Sequence, residues 1–213
     1  MIAVSRRQVR ILIAGAAAVV AASLGATPAL AAASWTIKPG GATAARSGKA
    51  TFEDTKTGAS FPCKSVTVTA TFQSGSGLPG ADAGSVSAAG FHTCTSPSLV
   101  WAMRAGDLPW KVNLTSYHRG VVTGNISHIQ IHVAARLPAR SSPCRWVIDG
   151  TAATASDGVI RFRYTDSTGK LTNTGGDLHA YNVSGCAGLV GNGDPFTVSA
   201  VFTLSPKQTI TSP

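Results

Sequence analysis

Four cysteines, Cys63, Cys94, Cys144 and Cys186, are the residues of this chain whose chemistry is easiest to state. None stands in a C-x-x-C pair, and none is spaced from a histidine as a zinc ligand would be. An even count of this kind reads as two disulfides formed in an oxidising compartment, with three connectivities open. His128 and His132 are the next candidates, as a metal pair. On a strand, residues four apart are roughly 13 Å apart at ~3.3 Å per residue. That separation is too long for zinc–nitrogen bonds of about 2.0–2.1 Å, so they read as part of a solvent-facing polar stripe with Gln130. His92, His118 and His179 stand alone. No metal and no cofactor is expected.

Arg145, Arg161 and Arg163 are cations of the type that grips a phosphate or carboxylate through a planar fork. Arg161 and Arg163 alternate with Phe162 and Tyr164, so the aromatics face away from the arginines. A single-stranded nucleic-acid reader needs stacking aromatics interleaved with its basic track, which argues against that partner. Trp101, Trp110 and Trp146 are the candidates for an exposed ligand platform, set against the common fate of tryptophan in a sandwich core. Hydrolase signatures are missing: no serine sits in G-x-S-x-G, and no H-E-x-x-H occurs. Most of the acids, Asp157, Asp166, Asp177 and Asp194 among them, fall in turn sequences, and no catalytic residue is assigned.

The elements that must position these residues are strands. Lys64 to Phe72 alternates Val66, Val68, Ala70 and Phe72 with threonines, and Gly124 to Val133 places Ile129, Ile131 and Val133 opposite His128, Gln130 and His132. Val159–Tyr164 and Phe196–Leu204 behave alike. Shorter runs lie at Trp35–Lys38, Ala50–Glu53, Ser85–Phe91, Leu99–Arg104, Trp110–Ser116, Arg145–Asp149 and Leu178–Val183. Turn signals separate them, such as Pro39-Gly40-Gly41, the Ser74–Gly80 stretch, Asp157-Gly158 and Ser167-Thr168-Gly169. Many short alternating runs with regular turns predict an all-β protein, an antiparallel β-sandwich or barrel-like domain. Composition agrees. Only 13% of the 213 residues are charged, against about 25% in a typical soluble domain, and Glu53 is the sole glutamate. That leaves little from which to build surface helices.

The first 31 residues read as a leader. Arg6, Arg7 and Arg10 precede an apolar stretch from Ile11 to Ala26, then Pro28 and Ala29-Leu30-Ala31 supply the small-residue exit of a cleaved signal peptide. Cleavage near Ala31 makes residues 32–213 the secreted domain, without a stable membrane anchor. Its net charge is +6, because the leader takes three of the chain's cations and none of its acids. Such a charge permits attraction to anionic wall polymers.

A faint internal echo divides that domain at about 32–120 and 121–213. Leu78 is followed after eight residues by Val86 and after eight more by Cys94; Leu171 is followed after seven by Leu178 and after eight more by Cys186. If corresponding positions are bridged alike, Cys63 pairs with Cys94 and Cys144 with Cys186.

The opening Trp35-Thr36-Ile37-Lys38-Pro39-Gly40-Gly41, the Ser74–Leu78 turn, Leu108-Pro109-Trp110, Tyr181 to Leu189 and the closing Ser205 to Ile210 resemble a group of small secreted proteins of actinobacteria that has no assigned function. The resemblance implies an extracellular β-rich protein and carries over no functional residue. The expected function is a non-catalytic extracellular binding or envelope-associated β-domain, its partner a cell-wall polymer, a polysaccharide or an extracellular protein. The alternatives are a secreted hydrolase with an unrecognised site and a structural surface protein.

Overall fold

The computed structural model describes residues 34–96, 99–136 and 143–213. The expected leader, residues 1–31, lies outside the described residues. Sixteen strands and no helix occur among the described residues: β1 (Trp35–Lys38), β2 (Gly41–Ser47), β3 (Ala50–Asp54), β4 (Ser60–Phe72), β5 (Gly75–Leu78), β6 (Gly84–Ser96), β7 (Leu99–Gly106), β8 (Trp110–His118), β9 (Val121–Arg136), β10 (Cys144–Asp149), β11 (Gly158–Thr165), β12 (Lys170–Asp177), β13 (His179–Ser184), β14 (Phe196–Ser199), β15 (Val201–Ser205) and β16 (Thr209–Thr211).

Thirteen of these build one closed barrel with eight positions around its wall. Three positions are the long single strands β4, β6 and β9. The other five are each shared by two strands set end to end: β2 with β3, β7 with β8, β10 with β11, β12 with β13, and β14 with β15. Every neighbouring pair is antiparallel. Going round, β2/β3 pairs with β4, β4 with β6, β6 with β7/β8, and β7/β8 with β9. Then β9 pairs with β10/β11, and β10/β11 with β12/β13. The ring closes where β12 meets β15, where His179 bridges Pro195, and where β15 and β14 return to β2 and β3. Neighbours in space are neighbours in sequence, the up-and-down arrangement in which closure removes every free edge. The two sequence halves, divided between β8 and β9, contribute four wall positions each to this single barrel.

The remaining strands form a small sheet, β16-β1-β5, at one end. It buries Trp35, Ile37 and Ile210 against the barrel. Its anchor is Gln208, fully buried: its Oε1 accepts from the Gly40 amide at 2.9 Å, and its Nε2 donates to Thr43 Oγ1 at 3.0 Å. The Tyr164 hydroxyl donates to the Gln208 carbonyl at 2.6 Å and accepts from its amide at 2.9 Å.

Both disulfides form as the spacing predicts, Cys63 with Cys94 and Cys144 with Cys186. The first joins directly opposed residues of β4 and β6, and the second ties the start of β10 to the turn after β13. Each therefore links the second and third wall positions of its half. Two such bridges mark a protein that folds in an oxidising environment.

The side chains alternate as strands require, but bulges change which parity faces inward. In β9, Val122 and Gly124 face in; at Ser127-His128 the register slips, His128 takes φ 64°, and Ile129, Ile131, Val133 and Ala135 face in beyond it. The polar stripe expected of His128, Gln130 and His132 is corrected by the same strand. His128 and His132 are exposed, whereas Gln130 is 4% exposed and bonded into the neighbouring loop. Gly124 also has a defined job: a Cβ there would collide with Asn113 O and stand 2.6 Å from Phe162 Cζ, so the phenylalanine ring packs where a side chain would stand.

Candidate functional site

The lumen of the barrel holds a concavity lined almost wholly by apolar side chains from every wall position. Phe52, Phe72, Val86, Trp110, Ile129, Ile160 and Leu204 form much of its surface; Thr43 and Asn173 are the polar side chains among the lining residues, and no lining residue is charged. Alanines recur at inward positions of β2, β3, β4 and β6, as Ala45, Ala50, Ala70 and Ala89, with Ala200 between β14 and β15. Short side chains at those points leave space that leucine or valine would fill. The result is a cavity of about 90 Å³. Several inward-pointing residues around it, including Val68, Ala89, Phe91, Ile126 and Phe202, accordingly stay half-buried rather than buried. Eight-stranded barrels have an interior either just filled by side chains or able to hold one small ligand.

Beyond the lumen, away from the small capping sheet, the barrel is plugged by aromatic residues. Phe61 stands with ring centroids 5.5 Å from Trp101, 5.0 Å from Trp146 and 6.1 Å from Phe196. Trp101 and Trp146 are 4% and 2% exposed. Trp110, 5% exposed, lines the lumen and donates its indole N–H to Gly106 O at 3.0 Å. The expectation of an exposed tryptophan platform is therefore corrected. All three lie at inward positions of their strands, where burial of their large apolar rings outweighs leaving the Trp101 and Trp146 N–H groups without a partner.

The three arginines are exposed, and they do not come together. Arg161 and Arg163 stand outside β11, level with Asn125 and Thr123 of β9. Arg145 stands outside β10, level with Ala134 of β9. Nine residues along one strand put the two groups roughly 30 Å apart.

Two polar constellations were not visible in the sequence. The Asp149 carboxylate, buried behind β10, accepts from the amides of Gly150, Ser156, Asp157 and Gly158 and from Gln130 Nε2. Gln130 also donates to Ala153 O, and Ser156 Oγ donates to Asp107. This network shapes the loop between β10 and β11, with every acceptor on Asp149 occupied by structure. Two wall positions further round, Asp194 Oδ1 meets Lys56 Nζ at 2.8 Å, and its Oδ2 accepts from the Gly191 amide at 2.6 Å. The lysine's hydrogen bond holds the Asp194 carboxyl below the usual carboxylate range and raises Lys56 in turn. Asp194 carries a turn, as its sequence context implied, whereas Asp149, read from the sequence as a strand residue, also anchors the loop that follows β10. Their partners are 138 and 19 residues away, for Lys56 and Gln130, which is why spacing alone did not reveal them.

No family model, curated protein or solved structure matches the chain.

Proposed function

We propose that this protein is an exported, non-catalytic binding domain that holds a small apolar group in the lumen of its barrel. One observation carries the reading: five alanines stand around a space whose lining is apolar apart from Thr43 and Asn173. Export is supported by the leader-like first 31 residues and by the two disulfides. A binding role is favoured over hydrolysis by the lining itself, because general acid–base chemistry needs a titratable group within hydrogen-bond reach of the substrate, and the lumen offers none. The volume suits a short aliphatic or small cyclic group, and an apolar cavity of this kind stays dry and takes such groups readily.

Trp110 lies in the wall and serves as the reporter. Small apolar molecules such as benzene and short branched alkanols are titrated while tryptophan fluorescence and thermal midpoint are followed. Saturable quenching with a raised midpoint is expected, and Ala89→Leu, which fills the lumen, abolishes both. A protein whose midpoint ignores every apolar probe, or responds equally after Ala89→Leu, does not work this way.

A further inference from the structure

We propose that the outer surface of β7, β9, β10 and β13 is a docking groove for a single chain of an acidic polysaccharide, a site separate from the lumen and independent of it. The groove, about 550 Å³, lies over adjacent strands of the wall. Its floor is made shallow-sided by small residues: Ala102 and Ala134 stand directly opposite one another, and Ser184 stands opposite Arg145. Val147, although it points outward, is 8% exposed and lies at the bottom of the concavity. The register of β10 against β13 slips between Arg145 and Val147, and Asn182, at φ 52°, adds its amide to the same wall as Ser184.

Two arginines flank this floor. Arg104 is directly opposite His132, and Arg145 is directly opposite Ala134, one step further along β9 and on its other side. At ~4.8 Å between strands and ~3.3 Å per residue their Cα atoms are roughly 12 Å apart, with the groove between them. His132 is pinned beside them: a Cβ on Gly106 would stand 2.9 Å from its Nε2, so the ring lies over the bare backbone of β7. Among the described residues, no carboxylate lines the groove. The ion pairs among the described residues join Lys56 to Asp194, Lys111 to Asp82 and His179 to Asp177, so neither flanking arginine is neutralised from within.

An uncompensated pair of guanidinium forks over a concave floor selects an anion, and the rest of the wall decides which. Asn182 and Ser184 offer neutral donors and acceptors of the kind that meet sugar hydroxyls. The one aromatic among the lining residues, Trp146, points into the core at 2% exposure, and Tyr181, opposite Val147, is half-buried and tied by its hydroxyl to Gly150 O at 3.0 Å, so the floor itself offers bases no stacking face and a single-stranded nucleic acid is disfavoured. A concave face does not sit on a flat bilayer. A narrow anionic glycan satisfies the charge, the hydroxyl partners and the shape together.

The test is affinity electrophoresis of the purified, oxidised protein through gels containing polygalacturonate, with neutral dextran, single-stranded DNA and anionic phosphatidylglycerol vesicles as parallel arms. Retardation by polygalacturonate that weakens with salt is expected, with no retardation by dextran. The double variant Arg104→Gln/Arg145→Gln should bind at least tenfold more weakly. Arg161→Gln/Arg163→Gln removes the same charge from the other half of the wall and should bind as the parent does, while near-ultraviolet circular dichroism confirms that both variants are folded. Ala89→Leu, which closes the lumen, should leave this binding unchanged. The proposal fails if polygalacturonate gives no retardation, if both arginine pairs matter equally, or if DNA or vesicles bind more tightly than the glycan.

Discussion

Tyr164 and Gln208 show how a single buried contact joins two parts of the fold. Tyr164 is 1% exposed and Gln208 fully buried, and the phenol both donates to and accepts from the Gln208 backbone. Burial pushes the Tyr164 hydroxyl up to about 12. Spectrophotometric titration should therefore show Tyr164 ionising about two units above an ordinary tyrosine near 10. Tyr164→Phe leaves a buried amide and a buried carbonyl without that partner and should cost about 1–3 kcal/mol in urea unfolding. The acids give the pH profile its sign. Hydrogen bonding to Lys56 lowers Asp194 in the folded state, and the Thr151 hydroxyl and amide lower Asp157. As pH falls the unfolded chain takes up these protons first, near 4, so the stability both acids supply is fully present above that pH and is lost as pH drops towards their folded values. Asp166 runs the other way, its carboxyl raised by burial, and contributes no acid lability of its own. Thermal midpoints should accordingly fall below about pH 4. Asp194→Asn should be less stable than the parent at pH 7 and should lose less stability than the parent between pH 5 and 3.

Strict alternation makes β1 legible in full, at Trp35–Lys38, and β11 to within one residue at each end. β4, β6 and β9 run three to five residues beyond their alternating segments, and the single run Phe196–Leu204 is two strands, β14 and β15, parted at Ala200. Four strands are not legible at all. β2 reads Gly-Ala-Thr-Ala-Ala-Arg-Ser, and its inward alanine Ala45 carries too little apolar contrast to stand out. β12 carries Gly175 and Gly176 opposite Arg161 and Ile160, beside a bulge at Thr174, and its outward threonines mask the period. β5 lies inside a Gly/Ser stretch that reads as a turn, and β16 is three residues long. All four depend on partners already in place, which local pattern does not report. The disulfides were legible because the spacing echo places each cysteine pair at equivalent wall positions. Their sequence separations are 31 and 42 residues. On loop-closure grounds each bridge is then worth about 3–4 kcal/mol. Replacing Cys63 and Cys94 together by alanine should lower unfolding stability by at least that amount, since Cys63 also packs against Met103. Peptide mapping without reductant should return only the linked pairs Cys63–Cys94 and Cys144–Cys186, and a Cys94–Cys144 peptide would contradict the barrel as described.

At the scale of the whole molecule, what could not be read from the sequence is the enclosed space. The outward arginines were visible as an alternation, but Arg104 and Arg145 become neighbours only once β7 and β10 flank β9. The tryptophans were visible as large surfaces, yet only closure of the wall turns them inward. The lumen has no sequence signature, because it arises where short inward side chains from strands far apart in the chain face the same space. It also has an energetic consequence. A void of about 90 Å³ at ~24 cal/mol per Å³ lowers stability by about 2 kcal/mol relative to a filled core. Sequences that leave such a gain unused commonly do so where activity needs the space. Ala89 is the position to test, being half-buried and directly opposite Val68 across β4 and β6. If the lumen is open space, Ala89→Leu should raise unfolding stability by up to about 2 kcal/mol while removing the response to apolar probes. If the same substitution instead lowers stability by the ~1–3 kcal/mol of an overpacked core, the alanines are there to fit the wall together and the lumen holds no ligand.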